Sequence, residues 1–81
     1  MSKQAAFIET VTIAINKELP LAMTYFTGSD ENTFTLEVCW TDRAKTIEQQ
    51  QKLRGDIVEF GKRYGAIKIH DNNINTIFLT F

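Results

Sequence analysis

The sequence predicts an α+β fold with the element order αββαββ. It reads as a two-layer sandwich: a four-stranded antiparallel sheet with two helices on one face. Three observations predict it. Residues 3–19 and 46–64 carry apolar side chains at helical spacing, and Thr33–Trp40 alternates with period two. The closing stretch Ile74–Phe81 is rich in β-branched and aromatic residues and lacks Gly, Pro and charge. An uncharged strand at an edge invites pairing with other chains, so Ile74–Phe81 is placed in the middle of the sheet.

In the first helix, Phe7, Ile8, Val11, Ala14, Ile15 and Leu19 share one face, while Lys3, Gln4, Glu9, Asn16 and Lys17 avoid its centre. Ser2 is the expected N-cap, and Pro20 halts the helix. Val11–Ile15 also alternates with period two, but the uninterrupted run is too long for a typical strand. Leu21–Thr27 is the first strand, with Leu21, Met23 and Tyr25 as its inward set and Phe26 pointing out. Gly28–Asn32 supplies the turn. In Thr33–Trp40, the residues Phe34, Leu36, Val38 and Trp40 face inward; Thr33, Thr35, Glu37 and Cys39 face outward.

Thr46 and Gln49 match a capping box for the second helix, with Thr41 or Asp42 as an upstream alternative cap. Leu53, Ile57, Phe60, Gly61 and Tyr64 form the inward face, and Gly61 there permits close approach to the sheet. Gly65 is a natural left-handed C-cap. Glu48/Lys52 and Glu59/Arg63 are spaced for ion pairs on a solvated face. The third strand is Ala66–His70. A three-residue loop, Asp71–Asn73, is favoured over a two-residue loop at Asn72–Asn73. Only the odd length puts Ile67 and Ile69 on the face of Ile77, Leu79 and Phe81, with Asn73 left-handed in a bulged turn.

The element order is that of a ferredoxin-like βαββαβ chain circularly permuted so that its first strand comes last, an analogy at the level of fold alone. It predicts the spatial order 3-4-2-1, with the two best strand sequences central and right-handed crossovers. Residues 1–81 then form a single α+β domain. A chain of this size buries roughly 60% of its unfolded surface.

A net charge of −1 argues against general affinity for phosphate backbones. The single cysteine, Cys39, cannot form an internal disulfide, which fits a reducing compartment. Glu9 and nearby threonines interrupt any secretory core, and no window approaches the ~18–20 apolar residues of a membrane span. These features make the cytoplasm the expected location.

Because both helices take one side, the other sheet face is expected to be uncovered. Phe26, Phe78, Ile74 and Cys39 are the apolar residues among its threonines and charges. Candidate interaction residues are Phe26, Lys68, His70 and Phe78. No spacing assembles a catalytic group, a metal site or a cofactor loop. His70 reads as a strand-end histidine, since Asp71 falls on the opposite face, and Cys39 as a small apolar residue. Asp71–Asn75 starts like a calcium loop but lacks its Gly and its twelfth-position Glu. Arg54-Gly-Asp56 lies within a helix, where it is a chance tripeptide. The expected function is a small non-enzymatic protein-binding module, an inhibitor or regulator that occupies a partner's surface and forms a homodimer. The alternative is single-stranded nucleic-acid binding on the open face, for which Phe26, Phe78, Lys68 and His70 would serve.

Overall fold

The structure is a computed structural model that describes residues 3–30, 32–40, 44–73 and 75–81. Ser2, Thr41, Asp42 and Ile74, each named above, lie outside the described residues. The elements run α1 (Lys3–Glu18), β1 (Met23–Ser29), β2 (Phe34–Cys39), α2 (Ile47–Arg63), β3 (Lys68–Asn73) and β4 (Thr76–Thr80). All four strands form one antiparallel sheet in the order β1-β2-β4-β3. The C-terminal strand is therefore central, as expected, and the order is that of the permuted ferredoxin-like arrangement.

One continuous apolar core joins Val11, Ile15 and Leu19 of α1 and Leu53, Ile57 and Phe60 of α2 to one face of the sheet. That face contributes Leu36, Val38, Ile77 and Leu79, extended by Phe34, Trp40 and Phe81 at the strand ends. The chain end is held firmly. Phe81 and Phe34 exchange backbone hydrogen bonds of 2.8 and 3.1 Å. Their rings stack at 5.2 Å, and Phe7 meets both edge-on at 5.6 and 5.9 Å.

Local chemistry fixes the ends of α2. Thr46 Oγ1 accepts from the Gln49 N–H at 3.1 Å, and the Gln49 side chain accepts from the Thr46 N–H at 3.2 Å. At the other end Gly65 has φ +84°, its N–H donates to Lys62 O, and Ala66 N–H donates to Gly61 O. This is a Schellman stop, which glycine adopts without the steric cost of a Cβ. The expected pairs Glu48/Lys52 and Glu59/Arg63 give way to others. Lys52 pairs with Asp56, and Arg63 reaches across to Glu18 at 2.5 Å. Tyr64 also donates to Glu18, at 3.2 Å, so the C-terminal ends of the two helices are tied together.

Two irregularities in the ladders correct the sequence reading of β1 and the last hairpin. Near its turn, β1 pairs Gly28 with Thr35; beyond Thr27 it pairs Phe26 with Leu36 and Tyr25 with Glu37. Continuing the first register would have set Tyr25 opposite Val38 and turned it inward. One extra residue reverses the faces of the strand. Thr24 and Phe26 therefore share the helix side with Val38 and Leu36, while Met23 and Tyr25 turn out.

In the last hairpin, β3 extends through Asn73, and the extra residue lies between Asp71 and Asn73. Ile69 shares the face of Ile77 and Leu79, as expected, but a bulge within the ladder produces this, not a three-residue loop at Asp71–Asn73. Asn73, expected left-handed in the loop, instead lies in β3, paired with Thr76. Ile67, expected on the core face, donates its N–H to Thr80 O yet is 70% exposed and stays outside the buried core.

The close fit of α2 to the sheet is testable with two glycines of one helix. A Cβ on Gly61 would lie 3.0 Å from Leu79 Cδ2 and 3.3 Å from Ile69 Cδ1, whereas one on Gly55 would meet nothing within 4 Å. Gly61→Ala should destabilise by about 1–3 kcal/mol through overpacking. Gly55→Ala should stabilise by about 0.5–1 kcal/mol through helix propensity. Urea denaturation of the pair reads both, and equal signs would contradict the contact.

The first hairpin carries a pH signature. Asp30 Oδ1 accepts from Thr33 Oγ1 at 2.8 Å and from the N–H groups of Thr33 and Asn32. These bonds, the Thr33 hydroxyl foremost, hold its carboxyl below the ordinary value of 3.8. Its contribution to stability is thus present above that value and fades as pH falls through the lower, folded-state value. The stability difference between wild type and Asp30→Asn should shrink on acidification through this range. A difference that stays constant across acid thermal melts would refute the assignment.

Candidate interaction surface

Strand alternation sends every second side chain away from the helices, and the ladder registers then decide which of them meet. Tyr25 lies opposite Glu37, Glu37 opposite Phe78, and Phe78 opposite His70. Four side chains from four strands thus form one row across the uncovered face. Phe78 and His70 stack with ring centroids 6.3 Å apart and planes inclined by 30°. Tyr25 is 52% exposed at the far end of the row. On one side runs Gly28–Thr35–Thr80–Lys68, in which the Thr35 and Thr80 hydroxyls hydrogen-bond at 3.0 Å. On the other side Cys39 sits between Met23 and Thr76.

Of the residues singled out in the sequence, Lys68, His70 and Phe78 come together on this face, and Phe26 does not. The bulge places Phe26 on the helix side, at the sheet edge, where it is 54% exposed. Its place in the row is taken by Tyr25, which the sequence reading assigned to the core. A signal was available in the isolated glycine of Thr27-Gly28-Ser29, since glycine within a strand pattern often marks a bulge.

Asp71 lies opposite Ile77, on the face turned away from His70, and pairs with Arg54 of α2. The Arg54 guanidinium lies 5.1 Å from the Trp40 ring centre, a cation–π geometry. Arg54-Gly-Asp56 is therefore not displayed as a unit: Arg54 is engaged with the sheet and Asp56 with Lys52. The Trp40 indole is fully buried, and its Nε1–H has no partner among the described residues. Among the described residues, no three of His, Cys, Asp and Glu stand close enough to hold a metal ion. A groove of about 210 Å³ between the end of α1 and α2 is lined by Leu19, Pro20, Leu21, Lys52, Leu53 and Asp56 and belongs to the helix layer. No helix among the described residues is long and apolar enough to cross a membrane.

The reversed parity of β1 has a thermodynamic consequence. The hydroxyl of Thr24, opposite Val38, is buried with no hydrogen-bond partner among the described residues. Removing such a group relieves its desolvation cost, so Thr24→Val should raise stability by about 1 kcal/mol in chemical denaturation. A neutral or destabilising result would place Thr24 in water and restore the other parity. No known protein family matches the chain, and no curated protein and no solved structure proves similar to it.

Proposed function

We propose that this chain is a small non-enzymatic protein-binding module, an inhibitor or regulator that acts in the cytoplasm by occupying a partner protein's surface. Self-association as a homodimer is part of the same reading. The observation that carries it is the transverse row Tyr25–Glu37–Phe78–His70 on the face that the helices leave uncovered. Two aromatic rings and an imidazole, with one carboxylate between them and Lys68 beside them, combine apolar contact with directional polar groups. Interface centres favour this mixture, with aromatic anchors contributing most of the affinity. Strand pairing already fixes the backbone of the row, so binding needs no ordering of the main chain there.

A second reading, single-stranded nucleic-acid binding, is favoured by one observation: the stacked His70–Phe78 pair lies close to Lys68, as a base-stacking platform would require. Glu37 in the middle of the row and the net charge of −1 oppose it.

Affinity capture from the native host should recover a partner with the wild-type chain and with Ile13→Asp, a change on the exposed side of α1. Phe78→Asp should lose it by tenfold or more, because a buried, unpaired carboxylate would then face the partner. Equal recovery with Phe78→Asp would refute the open face as the binding surface. Saturable binding of oligonucleotides at low salt, abolished by the same substitution, would establish the second reading instead.

A further inference from the structure

The two edges of the sheet are chemically unlike. On β3 the edge carries Lys68, His70 and Asp71, and its ladder is interrupted between Asp71 and Asn73. Charges and bulges of this kind discourage pairing with another strand. The other edge, β1, reads Met-Thr-Tyr-Phe-Thr-Gly-Ser and carries no charge. Tyr25 and Phe26 are 52% and 54% exposed there, on opposite faces of the same strand. Among the described residues, no backbone hydrogen bond outside the β1–β2 ladder engages Met23–Gly28. Exposed aromatics on both faces beside unpaired backbone groups suit one kind of occupant, another extended strand.

From this edge we infer that the chain forms a two-fold dimer by antiparallel pairing of β1 with β1 of a second copy, giving a continuous eight-stranded sheet. A second copy fits for three reasons. An antiparallel pair of identical strands is related by a two-fold axis normal to the sheet, so both helix layers stay on one side and both open faces on the other. No charge meets its like across the axis. Centring the axis on Tyr25 uses the regular part of the strand, Met23 to Phe26, and reaches only Thr27, the residue at the irregularity between Phe26 and Gly28.

In that register Tyr25 meets its symmetry mate on the open face, and Phe26 lies opposite the mate's Thr24 on the helix face. The aromatic left half-exposed at the edge is thereby covered. The two transverse rows join end to end: His70, Phe78, Glu37 and Tyr25, then the same residues in reverse. This deepens the self-association in the proposed function but rests on the edge alone, independently of what the open face binds. The ladder is small beside the ~1,200–2,000 Å² of stable complexes, so the dimer dissociates on dilution.

Sedimentation velocity over a concentration series, with folding followed by circular dichroism, tests the inference. Wild type should shift from monomer to dimer as concentration rises, and Phe26→Lys should remain monomeric throughout. Phe78→Asp should dimerise like wild type, which separates this result from loss of partner binding. In a Cys39→Ser background, mild oxidation should link Y25C into a covalent dimer and leave T10C, on the exposed side of α1, unlinked. A wild-type chain that is monomeric at every concentration would overturn the inference. So would a dimer that survives Phe26→Lys, or one that cross-links through T10C as readily as through Y25C.

Discussion

The ladder between β2 and β4 is the constraint on which the rest of the molecule depends. It runs without irregularity from Thr35–Thr80 to Cys39–Thr76, and the reciprocal bonds of Phe34 and Phe81 extend it to the chain end. These two strands contribute Leu36, Val38, Ile77 and Leu79 to the core that both helices cover. Burial on one face makes the register costly to change, because a one-residue slip would expose all four side chains together. The centre of the sheet is thus a fixed reference, and each outer strand had to find an alignment against it.

Both outer strands did so by taking in one extra residue. In β3 the insertion keeps Ile69 over the core and sends His70 to the open face beside Phe78. In β1 it sends Tyr25 to the open face and leaves Phe26 at the rim. The interaction surface is therefore a product of two bulges, each close to a hairpin turn. A ladder irregularity costs little at an edge, where one side of the strand has no hydrogen-bonding neighbour to disturb. It nevertheless decides the direction of every residue beyond it.

The helix layer imposes a second set of ties. Glu18 of α1 accepts from Arg63 of α2 and from its C-cap Tyr64, and Arg54 joins α2 to Asp71 of β3 while covering Trp40. The charged residues of α2 are thereby used between elements more than along one helix. An exposed pair within a helix gains only a few tenths of a kcal/mol, so modest tertiary geometry is enough to redirect it.

The sequence by itself determined the elements, their order in the sheet, the capping box at Thr46, the stop at Gly65 and the close approach at Gly61. Each follows from short-range chemistry or from strong one-sided periodicity, as in Thr33–Trp40. It also placed Lys68, His70 and Phe78 on the uncovered face, because the hydrophobic set of the last hairpin admits only one parity. The direction of β1 was decided by the tertiary structure alone. Met23, Tyr25 and Phe26 are apolar at both parities, so no alternation exists there to read. The energy that selects one parity comes from pairing with Val38 and Leu36, through a bulge that Gly28 marks but that alternation alone does not position.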